Sequence, residues 1–264
     1  MNIYVELTHE FNDQKLRAVL SSGQAVVLHR LAVMSKDGDW ILRETDEALT
    51  HILSVLEKRK AHYRFGAPLD IRWMRGGWSS HFEFYSSNFR VRTDFVTRPP
   101  RLTPADIETV WLEQQGCPLP VIDIRRLAEL KKTNREKDYA VIGELARMMD
   151  APRDRIMLSR SARELLELSD KYPDLVKKLT HERAVLGSIA EGQDNLEKAL
   201  DAERRQLMHT NEARLQRYIK SAEEWAELWP QVANEISNLP LKDAHSIVVS
   251  KAEKVLPFQP QENG

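Results

Sequence analysis

Along residues 1–149 the apolar positions change period repeatedly. Arg17–Ser21, Asp37–Leu42, His62–Phe65, Leu69–Met74, Ser79–Tyr85 and Phe89–Val96 are short runs, mostly β-branched or aromatic, and each reads as a strand. Ser22-Gly23 reads as a turn into a short helix over Gln24–Leu31. Asp46–Lys60 reads as an amphipathic helix, with Leu49, Ile52, Leu53 and Leu56 on one face. Arg98-Pro99-Pro100-Arg101 stops the last strand. Thr103-Pro104 has the form of an N-cap followed by proline in the first turn, opening a helix to about Leu112. Leu127–Met149 carries one or two more helices. Strands alternating with helices predict an α/β or α+β layered domain: a mixed sheet flanked by helices.

Beyond Asp150-Ala151-Pro152 the pattern is almost wholly helical, which places a domain boundary between residues 149 and 150. Arg160–Leu168 and Asp174–Leu179 are short helices. From His181 to Trp229 apolar positions recur at helical steps, as in a long helix or a helical hairpin, with Gly187 and Gly192 marking a break. One face of this segment suits packing within the fold; the alternative is a partner or a second copy of the chain. The tail from Pro257 to Gly264 is polar and is expected to fray.

Composition narrows the class. The 264 residues are 42% hydrophobic and 30% charged, enough to build a core. Lys+Arg (39) and Asp+Glu (40) nearly cancel, which argues against a surface devoted to nucleic acid or anionic lipid. A local exception is Arg125–Lys137, with six basic residues against two acidic ones. No apolar run is long enough to span a membrane, no signal peptide is visible, and the single cysteine, Cys117, excludes an internal disulfide. The expected location is cytoplasmic, with no membrane partner. No P-loop, dinucleotide or serine-hydrolase motif occurs.

The candidate chemistry is carboxylate chemistry. Asp37 and Asp39 lie two apart on a strand, so their side chains share a face. Asp94 sits on a later strand; if the two strands are neighbours, three carboxylates meet at one point. Carboxylates so crowded repel unless a cation lies between them, and Mg²⁺ or Mn²⁺ is the usual one. Three are enough to hold divalent ions for in-line phosphoryl chemistry. Ser21-Ser22-Gly23 precedes a helix, and thirteen residues separate Gly23 from Asp37. A tight turn at a helix start presents N–H groups suited to phosphates.

This order resembles the nucleotidyltransferase fold of the DNA polymerase β superfamily, whose signature is a glycine-containing turn followed by Asp-x-[Asp/Glu]. More narrowly, GQAVVLH, SKDGDWIL, GAPLDIRW, GGWSSHFEF, VRTDFVTRPPRL and LKKTNREKDYAVIGELAR resemble a bacterial nucleotidyltransferase-like family. That family is distantly similar to the minimal nucleotidyltransferases of abortive-infection and toxin–antitoxin systems. The resemblance covers about residues 15–149. It implies that Asp37, Asp39 and Asp94 hold the metal and that Asp94 helps deprotonate an acceptor hydroxyl. It implies that Ser22 and Gly23 cradle the phosphates of an NTP, with Lys131 and Arg135 neutralising them. The implied activity moves a nucleoside monophosphate from an NTP to RNA, a protein or a small molecule. The alternative is a fold-retaining, non-catalytic module that recruits a protein partner or RNA. The chain departs from the superfamily pattern at Ser22, or at Ser21 depending on the alignment, where a glycine is usual, and at Gly38, where an apolar residue is usual and glycine is expected to loosen the strand between the two aspartates.

Other residues have plainer readings. Trp78 in GGWSSH caps a core or stacks on a base, with Ser80 or His81 near its sugar. Asp70 pairs with Arg72 or Arg75. Arg90, Arg92, Arg98 and Arg101 cluster around Asp94; some are expected to be ion-pair partners, and the alternative is that one or two meet a phosphate backbone. Asp138 pairs with Lys131 or Arg135. Cys117 is expected to be a buried loop thiol.

Overall fold

The computed structural model describes residues 2–261. In chain order its elements are α1 (Ile3–Phe11), β1 (Ala18–Ser21), α2 (Ser22–Leu28), β2 (Asp37–Leu42), α3 (Asp46–Lys58), β3 (His62–Tyr63), α4 (Ile71–Arg75), β4 (Ser80–Ser86), β5 (Phe89–Val96) and α5 (Pro104–Glu113). There follow α6 (Ile124–Leu130), α7 (Glu136–Arg147), α8 (Pro152–Leu158), α9 (Ala162–Lys171), α10 (Pro173–Leu179), a 3₁₀ segment (Ala184–Glu191), α11 (Gln193–Ser221), α12 (Glu223–Ile236) and α13 (Leu241–Val255). The molecule is therefore mixed α/β, with a five-stranded sheet, flanking helices and a helical C-terminal region.

The chain divides into two compact units, and the division is not at 149/150. The first unit is residues 1–122 with 215–264; the second is 123–214. Pro152 does not end a domain. It is the N1 residue of α8, where its missing N–H costs nothing.

In the first unit the sheet order is β1-β2-β5-β4-β3. β2 and β5 are parallel, and the other pairs are antiparallel. Ser87-Asn88, both at positive φ, close the β4–β5 hairpin. The alternation of each strand assigns its side chains to two faces. One face carries Leu20, Trp40, Leu42, Phe82, Phe84, Val91 and Phe95, all buried. They share one core with Leu7 and Phe11 of α1, Leu49 and Ile52 of α3, Trp225 of α12 and Val248 of α13. Trp40 stacks on Phe95 at 5.5 Å, and its indole N–H donates to Thr8 Oγ1 at 2.9 Å. The other face carries Ser21, Asp37, Asp39, Arg92, Asp94, His81 and Glu83.

Several local expectations change. Leu69–Met74 is not a strand. Asp70 caps α4 by accepting from the Arg72 N–H, and it holds the Arg72 guanidinium as well. Trp73 and Met74 are then buried as neighbours on one helical turn. Gly38 does not loosen β2. The Tyr4 and Trp40 rings lie so close to it that a Cβ would overlap both. Cys117 is exposed, not buried. The C-terminal tail is tied down over its described part. Phe258 packs edge-on against Trp73, and the Trp78 indole donates to the Pro257 carbonyl at 3.0 Å. Residues 262–264, also expected to fray, lie outside the described residues.

The second unit is a helical bundle around Ile156, Leu165, Leu168, Leu179, Leu186, Leu196 and Leu200. Arg183 is buried and fastens it, bonding the carbonyls of Ile156 and Ser159 and the Glu203 carboxylate. The break expected at Gly187 and Gly192 is the 3₁₀ segment, and α11 begins after it.

Candidate functional site

The polar face of the sheet brings the three aspartates together. β2 and β5 are neighbours in parallel register, with Asp39 paired to Asp94 and Asp37 paired to Arg92. Residues paired across adjacent strands point to the same side, so Asp37, Asp39 and Asp94 share one face. Tyr4 reports their joint field. Its phenol is pushed above its ordinary range by burial first and by the charge of Asp37 next, with Asp39 and Asp94 adding less; a hydrogen bond from the Arg92 backbone opposes the shift. The Tyr4 hydroxyl donates to the Lys36 carbonyl at 2.7 Å and so fixes the residue that leads into Asp37.

The individual carboxylates differ in their neighbours. Asp37 Oδ1 is buried and accepts no hydrogen bond; the nearest cation is Arg92 Nη1 at 3.7 Å. Asp94 Oδ1 is well supplied. It accepts from His81 Nδ1 at 2.7 Å and from Arg64 Nη1 at 3.2 Å. Of the arginines expected around it, Arg90 pairs with Glu83, Arg92 with Asp37 and Arg98 with Glu44. Arg64 follows β3, on the far side of β4 from Asp94, and only the register reveals it as the partner.

In kind, these side chains fit a hard divalent cation: three carboxylates on one face, one with a buried oxygen that accepts no hydrogen bond. In arrangement they stop short. Among the described residues no three His, Cys, Asp or Glu side chains are grouped so as to hold a metal ion. Asp94 is turned toward His81 and Arg64.

The expected phosphate turn begins beside Asp39, since Ser21 pairs with it across β1 and β2. Ser22 stands at φ 51°, the left-handed region where a glycine is unstrained. Gly23 is needed for another reason: Ser35 Oγ sits where its Cβ would be. The buried Gln24 amide donates to the carbonyls of Ser35 (3.0 Å) and Asp37 (3.2 Å), pinning residues 35–37 onto α2. The approach to Gly23 is thus covered by the chain itself.

Lys131 and Arg135 belong to the second unit. They are not on one helix. Lys131 is the C-cap of α6 and Arg135 the N-cap of α7. Both face the buried Asp138, with Arg135 Nη2 at 2.8 Å and Lys131 Nζ at 3.8 Å from its carboxylate. Asp138 also accepts from Thr133 at 2.6 Å. The expected ion pair of Asp138 is present with both partners, and it draws their charge inward.

Trp78 is buried and edge-on to Tyr218, as a core cap. Its neighbours divide by strand parity. Ser80 faces the core, while Ser79 and His81 face the aspartates. Ser79 Oγ lies 2.8 Å from His81 Nε2, and His81 Nδ1 lies 2.7 Å from Asp94. Sequence reasoning named Ser80 and missed Ser79. The signal was present, because Ser79, His81 and Glu83 alternate along one strand.

A surface cavity of about 640 Å³ lies against α1 and α3, lined by His9, Glu10, Asp13, His51, Lys58 and Arg59. Its charges largely satisfy one another, since Arg59 pairs with Glu6 and Glu10. The helices α1 and α3 pack on the apolar face, so this cavity has no part in the polar one. No helix is long and apolar enough among the described residues to cross a membrane. Comparison with protein-family models, with curated proteins and with solved structures finds no match to this chain.

Proposed function

We propose that the polar sheet face is the site of a metal-dependent nucleotidyltransferase, moving a nucleoside monophosphate from an NTP to a hydroxyl of RNA, a protein or a small molecule. The observation that supports this reading is the register: Asp39 opposite Asp94, with Asp37 on the same face. A bound Mg²⁺ or Mn²⁺ supplies charge neutralisation for the triphosphate and lowers the pKa of an acceptor hydroxyl. Asp37 and Asp39 are the residues that hold it, aided by the absence of a hydrogen bond at Asp37 Oδ1. Asp94 completes the set by leaving Arg64 and His81. Tyr4 and Gln24 keep Asp37 in place through the carbonyls of Lys36 and Asp37.

The test is thermal stability with Mn²⁺ or Mg²⁺ and each NTP. A ligand at one hundred times its dissociation constant adds about 2.7 kcal/mol, or roughly 5–10 °C for a chain of this size. The expected result is a shift with at least one NTP that vanishes when Asp37→Ala and Asp39→Ala are combined. An α-labelled form of that NTP then marks the acceptor in a total RNA and protein extract. No shift with any NTP refutes the reading.

A second reading is a non-catalytic module that recruits a protein partner or RNA. Ser35 over Gly23 and the engaged state of Asp94 favour it. It predicts no NTP shift.

A further inference from the structure

Ser79, His81 and Asp94 form a continuous hydrogen-bonded chain, and its polarity can be assigned. An ionised carboxylate only accepts, so the His81 Nδ1–H donates to Asp94 Oδ1 at 2.7 Å. With the imidazole neutral, Nε2 is then the acceptor for the Ser79 hydroxyl, 2.8 Å away. This is the tautomer and the order of groups that activate a serine: hydroxyl to imidazole, imidazole to carboxylate. The ring is held from the side as well. Gly66 packs so close that a Cβ there would stand 3.1 Å from the Ser79 carbonyl oxygen and within clash distance of His81. Arg64 braces the same carboxylate oxygen at 3.2 Å. All three side chains are partly open to solvent.

We propose that Ser79 is a nucleophile, activated by His81 and oriented through Asp94, that accepts the acyl group of a small ester. Ser79 Oγ attacks the ester carbonyl carbon while its proton passes to His81 Nε2. The new bond is Oγ–C; the bond broken joins that carbon to the leaving oxygen. His81 returns the proton to the departing alcohol. Water then attacks the acyl-serine by the same route, releasing the carboxylic acid and restoring the hydroxyl. No oxidant or metal is consumed. This inference does not rest on the transferase reading, because it requires Asp94 on His81, as it stands here.

The probe is a fluorophosphonate, which forms a P–O bond to an activated serine and loses fluoride. The full chain is incubated with it, and adducts are counted by intact mass and located by peptide mapping. One adduct at Ser79 is expected. It is absent in Ser79→Ala, and His81→Gln slows it by about a hundredfold or more, the usual contribution of a positioned base. Asp94→Asn slows it too. Ser80→Ala, on the opposite face, labels like the unaltered chain. If Ser79→Ala fails to fold, Ser79→Cys combined with Cys117→Ser replaces it, because Cys117 is exposed, and alkylation of the thiol at 79 by iodoacetamide is expected to slow when His81→Gln is added. No adduct on the folded chain, an adduct at another residue, or a rate indifferent to His81→Gln overturns the proposal. None of these outcomes bears on the NTP-dependent thermal shift, so the two readings fail separately.

Discussion

Gly38 lies between the two aspartates of β2, and replacing it with alanine tests whether the rings beneath it fix that strand. The added methyl enters space held by Tyr4 and Trp40. Overpacking a full core costs about 1–3 kcal/mol. Relief is expensive here. Trp40 is fully buried, stacked on Phe95 and bonded to Thr8; Tyr4 is bonded to the Lys36 carbonyl. Moving either ring weakens a hydrogen bond worth about 1 kcal/mol. Alanine recovers about 0.4–1 kcal/mol by restricting the unfolded chain. The net expectation is a loss of about 2 kcal/mol, read by urea denaturation followed through near-ultraviolet circular dichroism. Gly143→Ala is the control. It lies inside α7, its Cβ would meet only Arg160 Cβ at 3.7 Å, and alanine there is expected to stabilise by about 0.5–1 kcal/mol. A Gly38→Ala chain as stable as the original, or more so, refutes the claim that close ring packing demands the glycine.

Gly23→Ala is expected to destabilise through its clash with Ser35, and adding Ser35→Gly should restore most of the loss; additive effects in the double-mutant cycle would show that the two do not touch. Burial depresses the pKa of His245, with Arg72 adding to the shift and Asp70 opposing it, while Nδ1 accepts from the Tyr63 hydroxyl at 2.7 Å. An unfolded histidine binds its proton near pH 6.5, above the folded value, so the contribution is complete above about pH 6.5 and is lost as the pH falls through the folded value. Urea midpoints measured from pH 8 downward should show that loss, and His245→Gln should flatten it. Arg64→Gln removes a cation from Asp94 and Glu83. It should cost less than about 1 kcal/mol of stability and tighten Mn²⁺ binding about threefold to fivefold by calorimetry; unchanged or weaker binding would count against Asp94 as a ligand.

The sheet was legible because its strands announce their faces. Asp37–Leu42 and Phe89–Val96 have the bounds read from the sequence, and strand parity puts Asp37, Asp39 and Asp94 on the face opposite Trp40 and Phe95. The misses have physical causes. In LDIRWM the apolar alternation of a strand competes with an aspartate able to cap a helix, and the cap won. α1 was overlooked although Tyr4, Leu7, Thr8 and Phe11 fall at helical steps behind the capping Asn2. Its role, to cover Gly38 and Trp40, arises only on folding. α13 lies in the stretch read as helical, but its Val248 belongs to the core of the first unit. That core is completed by residues beyond 214, which a reading that cut the chain at 150 could not assign to it. The aspartates were readable from their spacing. The partners of Asp94 were not, because Arg64 is thirty residues away in sequence and reaches it only through the order β5-β4-β3.

The chemistry of this face turns on one carboxylate with three suitors. Asp94 is held now by an imidazole and a guanidinium, both in partly exposed positions. Exposed ion pairs contribute about 0–1 kcal/mol, less than a tenfold change in an equilibrium. On the transferase reading, a divalent cation shared with Asp37 and Asp39 would displace such a pair at little cost, so the contacts seen at Asp94 would weaken metal binding without forbidding it. Releasing His81, however, would remove the group that fixes its tautomer, and with it the activation proposed for Ser79. The two proposals therefore compete for the same residues. Mn²⁺ that binds through Asp94 must slow fluorophosphonate labelling, while Mn²⁺ confined to Asp37 and Asp39 leaves it unchanged. The labelling rate against Mn²⁺ concentration thus measures which carboxylates hold the cation.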